Sequence, residues 1–202
     1  MYEKMAKKIT NLFIIKKIID SSDREVYEYG YEVMFSQISY TIIMIIISLI
    51  FGAFYESLAF FVGFSLYRKI CGGYHAKTYT RCHLIFATNQ ILFLLSLIFV
   101  PNQFCYILTG VGLITAIVLD ILIAPIDHKN KPFNDKEYKK FKRQSIILSI
   151  GLCVLCIFIF LLNKNNVFYF SFSVGCFSAS ISLLYAFLER RENDEKVKEF
   201  CS

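Results

Sequence analysis

"FCYILTGVGLITAIVLDILIA", Phe104 to Ala124, carries a single charge, Asp120, near its end. A helix needs about 20 apolar residues to cross a bilayer core, so this stretch reads as one complete crossing. Its neighbours repeat the pattern. Toward the N-terminus, "PNQ" separates it from the apolar run Leu84–Val100, and toward the C-terminus a polar loop, Ile126 to Gln144, leads into Ser145–Leu162. "NKNN" then precedes a last apolar run, Val167–Leu188, and a charged tail. Nearer the start, Ile38–Phe54 is apolar, "YES" (Tyr55 to Ser57) interrupts it, and apolar character resumes to Tyr67. These lengths predict an all-α polytopic membrane protein with about six transmembrane helices in one domain, residues 1–202. The stretch Leu58–Tyr67 is short, so it either extends into the segment that follows or is re-entrant.

Bulk composition agrees. Of 202 residues, 56% are hydrophobic and only 19% charged, and mean hydropathy is +0.52. A soluble domain of this size would carry more charge around one core. Seven cysteines form an odd set, and Cys105, Cys153, Cys156 and Cys176 lie inside apolar runs. That scatter fits packed, reduced thiols better than a disulfide framework. Cys153 and Cys156, three residues apart in mid-span, read as packing rather than redox. The N-terminus has a basic start without a compact apolar core and cleavage site, so no cleaved signal peptide is expected. Instead, residues 2–19 place Met5, Ile9, Leu12, Phe13, Ile18 and Ile19 near one helical face and Lys4, Lys7, Lys8 and Lys16 mostly on another. This predicts an interfacial helix on anionic membrane lipid, with an ordinary helix packed on the bundle as the alternative.

Cations fix the expected orientation. Six Lys/Arg lie before Ile38, four between Arg68 and His83, seven between Ile126 and Gln144, and four in the tail. In a six-span layout, 21 of the 22 fall on one side. The positive-inside rule makes that side cytoplasmic, with both termini inside the cell membrane.

The segment "RKICGGYHAKTYTRCH", Arg68 to His83, differs from everything around it. It gathers two of the three histidines, two cysteines, a double glycine and four cations. A thiolate is the nucleophilic form of cysteine, and a base or nearby cations generate it. Cys82 has Arg81 and His83 as neighbours and His75 seven residues upstream. On a continuous helix that separation is about 10 Å, too far for a hydrogen bond. His75 therefore serves Cys82 only if the chain bends between them, which Gly72-Gly73 permits and "KTYT" does not oppose. His83, adjacent on a helix, would point about 100° away from the thiol. Two other readings stay open on chemistry alone. Cys71, His75, Cys82 and His83 are all zinc-ligand types, but their spacing lacks the usual paired pattern, so no metal or other cofactor is expected. A purely structural loop, its cations meeting lipid phosphate, is the plainer reading.

"RKICGGYHAKTYTRC" resembles the signature of the accessory gene regulator protein B (AgrB) family, membrane cysteine peptidases of quorum sensing. "EYGYE" (Glu28 to Glu32) and "APIDHKNKPFNDKEYKKFK" (Ala124 to Lys142) are similar to further family segments, so the resemblance covers nearly the whole chain. It implies that Cys82 is the nucleophile and His75 its base, with Arg68 and Gly73 as supporting positions. It implies cleavage of the C-terminal part of a short AgrD-like precursor peptide. An acyl-enzyme thioester on Cys82 is then displaced by a precursor cysteine to give a thiolactone ring. A homodimer is implied, and no nucleic-acid partner. Family precursors end in an acidic tail, which makes Lys129, Lys131, Lys139 and Lys140 the candidate substrate-binding cations; positive-inside topology alone also accounts for them.

Asp120, an intramembrane carboxylate, is a functional candidate by default and is expected either to orient His75 or to make a local helix-end bond. Asn89 and Gln90 are rival orienting or oxyanion-stabilising groups. A small transporter or a non-enzymatic receptor or scaffold is the alternative to the enzyme. Transporters usually show repeats or broken, polar spans, whereas here the chemistry gathers in one loop.

Overall fold

The computed structural model describes residues 2–73, 78–126, 134–162 and 167–201. Every regular element among them is helical: α1 (Tyr2–Ile15), α2 (Arg24–Ile50), α3 (Phe54–Cys71), α4 (Tyr79–Phe99), α5 (Asn102–Ile123), α6 (Asp135–Leu162) and α7 (Phe168–Cys201). Five stretches are long and apolar enough to cross a membrane: 21–50, 79–99, 102–123, 135–162 and 168–191. The chain is thus an all-α polytopic membrane protein.

The remaining long helix is α3, whose 18 residues include Glu56 near one end and Arg68 and Lys69 at the other. It extends past Tyr67 into the "RKIC" segment. The chain breaks before it at Phe51–Ala53, where Gly52 takes φ +65°, four residues earlier than the polar "YES" suggests. Tyr55, Glu56 and Ser57 instead form the first turn of α3. A positive φ costs a glycine little, so backbone freedom, rather than polarity, sets the turn.

α3 forms the centre of the bundle. Glycines let it approach α7: a side chain at Gly63 would collide with the Phe172 carbonyl, and one at Gly175 with the Phe60 carbonyl. Close backbone approach at small residues is the usual way apolar helices associate in lipid, where burial gives no hydrophobic gain. On its other flanks α3 stacks Phe60 on Phe93 of α4, with centroids 4.6 Å apart, and Tyr67 Oη donates to the Ala116 carbonyl of α5 at 2.9 Å. Its apolar residues Phe60, Phe64 and Tyr67 are buried among neighbours, so α3 does not have to meet the lipid requirements of an isolated span.

α1 docks on α2 through Tyr2, Ala6 and Thr10, the latter two fully buried, and through Phe13, which stacks on Tyr31. Met5, Leu12, Ile15 and Ile18 remain exposed. The amphipathic face read from sequence therefore divides: Phe13 and Ile19 turn inward, and the other edge is left for an apolar surround.

Candidate active site

Cys82 occupies the first turn of α4. Thr78 caps that helix in extended conformation (φ −136°, ψ 145°), its Oγ1 accepting from the Arg81 amide at 3.4 Å. A hydroxyl cap satisfies one of the amides left over at a helix start. The Cys82 sulfur, half-buried, accepts a hydrogen bond from Tyr40 Oη at 2.5 Å. Tyr40 belongs to α2, and its ring lies against His83 (4.5 Å between centroids) and Phe86 (5.1 Å).

The "EYGYE" segment serves the same corner. Glu32 Oε2 accepts from Tyr79 Oη at 3.0 Å, pinning the start of α4 to α2. Tyr2 of α1 donates to Ser39 Oγ at 2.7 Å and packs edge-on against Tyr79 and His83. His83 is buried, with Nε2 3.4 Å from the Ser36 carbonyl. Its ring is thus engaged by α1 and α2.

Arg68, in the last turn of α3, places its guanidinium 5.6 Å from the centre of the Phe64 ring and within electrostatic range of the Tyr40 hydroxyl. Gly73 takes φ +154°, and a side chain there would sit 3.2 Å from Ser182 Oγ of α7 and 3.7 Å from the Arg68 side chain. At Gly72, with φ +85°, an added side chain would similarly sit 3.2 Å from the Ile126 carbonyl. The glycine pair therefore threads between α7 and the segment after α5, where Ala124–Pro125 is a cis peptide. His75, Lys129 and Lys131 lie outside the described residues.

Cys71 and Cys82 have separate surroundings. Cys71 is fully buried beside Asp120 and Ser149, whereas Cys82 faces Tyr40. Asp120 is also fully buried; its Oδ2 accepts from Ser149 Oγ at 2.6 Å, and its Oδ1 has no hydrogen-bond partner among the described residues. Gln90 Nε2 donates to the Met44 carbonyl at 3.0 Å, and Asn89 Nδ2 to Ile85 of its own helix. Along unbroken α4, Asn89 and Gln90 lie about 10–12 Å from Cys82, beyond reach of the same carbonyl. Lys139 and Lys140 are exposed on the first turns of α6. That helix opens with a reciprocal cap: the Asn134 amide donates to Glu137 Oε2 at 3.1 Å and Asn134 Oδ1 accepts from the Lys136 amide at 2.9 Å.

Nothing in the sequence singles out Tyr40. It is one of 13 tyrosines, and only the packing of α2 on α4 brings it to the sulfur.

A polytopic helical membrane protein with a half-buried cysteine at a capped helix start defines the class. The family follows from comparison: residues 3–183 match the model for accessory gene regulator B, and the chain belongs to that family. It is 29% identical over 161 residues to a putative AgrB-like protein of Clostridium perfringens, covering 76% of this chain and 75% of that one. It is 30% identical over 169 residues to accessory gene regulator protein B of Staphylococcus haemolyticus, covering 81% and 84%. It is 29% identical over 152 residues to protein FsrB of Enterococcus faecalis, covering 71% and 62%. No solved structure gives a significant match. Membership supports a role in accessory gene regulation through quorum-sensing peptide processing.

Proposed function

We propose that the protein is a membrane-embedded cysteine endopeptidase that cleaves the C-terminal part of an AgrD-like precursor and closes the remainder into a thiolactone. Cys82 attacks the scissile carbonyl, His75 moves the proton, and a precursor cysteine displaces the acyl group. One thioester replaces another of similar energy, so ring closure needs proximity more than driving force. The observation that carries this reading is the setting of Cys82: first turn of α4, half-buried, with a hydroxyl donor on its sulfur. That thiol is open to a bound peptide, whereas Cys71 is fully buried. Arg68 supports the site from the last turn of α3 by its charge, and Gly73, just past that helix, by admitting the chain past α7.

Replacing Cys82 by Ala should abolish precursor cleavage while membrane insertion persists, and replacing Cys71 should leave the chemistry in place. Cleavage that survives C82A and disappears in C71A reverses the assignment; inhibition by a chelator would favour the zinc reading. We further propose that the Cys82 end of the bundle faces the cytoplasm with both termini, on the distribution of cations. Labelling that finds Lys164 and Lys131 on one side of the membrane contradicts that layout.

A further inference from the structure

We propose that Tyr40 is a further catalytic residue, whose hydroxyl holds the Cys82 sulfur in the ionised form in which it attacks and leaves. The inference rests on the reading of Cys82 as nucleophile, and it deepens that reading by supplying the group that stabilises the sulfur. Tyr40 reaches Cys82 from 42 residues away and donates directly to Sγ at 2.5 Å. The hydroxyl is held at the sulfur, because His83 and Phe86 clamp the ring at centroid distances of 4.5 and 5.1 Å, and toward a thiolate, which has no proton to give, the phenol is the donor. A donor aimed at sulfur stabilises the thiolate and gives the neutral thiol less, since hydrogen bonds to charged acceptors are the stronger ones.

The other charged or titratable groups around the pair come from four helices. Tyr2 of α1 is held by Ser39, and Glu32 of α2 by Tyr79 of α4, which keeps that carboxylate engaged away from the sulfur. Arg68 of α3 stands within electrostatic range of the Tyr40 hydroxyl. Arg81 and His83 flank Cys82 on α4, and the His83 ring meets Ser36 and the two tyrosines. Tyr40 donates a hydrogen bond to Cys82 Sγ.

In the first step the Sγ electron pair bonds to the scissile carbonyl carbon and the C–N bond breaks. The departing nitrogen takes the proton that His75 removed from Cys82. In the second step the precursor thiol bonds to the same carbon and gives its proton to the base. The bond to Cys82 then breaks and its electron pair returns to Sγ, where the Tyr40 hydroxyl receives it. A sulfur with a stabilised thiolate leaves faster in such exchanges, so Tyr40 favours release of the ring over a stalled acyl-enzyme.

The test is the alkylation rate of Cys82 by iodoacetamide in the full-length protein in vesicles, read peptide by peptide by mass spectrometry. Y40F keeps the ring and its packing and removes only the donor. Cys82 in Y40F should react about tenfold more slowly near neutral pH, with the gap closing in alkali, where both thiols ionise. Precursor processing should fall by a similar factor. Equal rates across the pH range, or a gap that persists undiminished in alkali, overturn the proposal. Should Y40F fail to accumulate, Y40L, which likewise lacks the donor, is read on the same scale and with the same two outcomes. An active C82A variant would defeat the peptidase reading itself. An inactive C82A with unaltered Y40F would defeat only the role of Tyr40.

Discussion

Lys142 Nζ donates to the Ala124 carbonyl at 2.6 Å, and also to Ile121 at 2.6 Å and Asp120 at 3.0 Å. One ammonium thus gathers three carbonyls at the end of α5: that of Asp120 also accepts the Ala124 amide, while those of Ile121 and Ala124 lie past the last internal helix bond, and the charge complements the negative end of the helix dipole. It ties α6 to α5 beside the Asp120–Ser149 bond.

Replacing Lys142 by Met should therefore destabilise the bundle. Three acceptors at the end of α5 lose a charged donor at once, a loss of about 2–3 kcal/mol. The expected result is a lower melting temperature in detergent, with processing reduced in proportion to folded protein. An unchanged melting curve would show that water replaces the ammonium at no cost.

Lys139 and Lys140 should behave in the opposite way. Both are exposed on α6 and lie outside the anchoring set. Reversing them to Glu should leave melting within about 0.5 kcal/mol of wild type and raise KM for a precursor with an acidic tail about tenfold at low salt. The difference should shrink as salt screens the charges. A KM indifferent to both substitutions would leave these lysines as topology signals only.

The α3–α7 contact gives a third outcome. A methyl group at Gly175 has no room against the Phe60 carbonyl and the Phe64 amide, whereas Gly110 has open space at the same position. G175A should cost about 1–3 kcal/mol through overpacking, and G110A should be neutral or slightly stabilising. Equal melting of the two variants would show that α3 and α7 can separate without penalty.

Hydropathy blocks report lipid directly, which makes the spans legible in the sequence: the apolar run Phe104–Ala124 corresponds to α5, Asn102–Ile123. Cys82 is legible through its motif. Contacts between helices are not. Nothing in the sequence distinguishes Lys142 from Lys139 and Lys140, yet one caps α5 and the others face outward. Nothing in the pattern around Tyr40 announces a partner 42 residues on. Polarity at "YES" misplaces the break, because polarity marks a turn only when no glycine nearby offers the required backbone, and Gly52 does.

The last prediction separates a cyclase from an ordinary protease, through the fate of the acyl group on Cys82. If water were the acceptor, a linear acid would be released whatever the precursor carried. If the precursor's own thiol is the acceptor, it acts at high effective concentration once the peptide is bound, and without it the acyl group has nowhere to go. Changing the precursor cysteine to Ala should therefore trap an adduct on Cys82, seen as a mass shift of the Cys82 peptide. With H75A the adduct should form at least about 100-fold more slowly, since general-base catalysis supplies a factor of that order. Fast multiple turnover of the cysteine-free precursor to a linear product would show hydrolysis instead. A wild-type precursor that yields only linear peptide would likewise identify water as the acceptor.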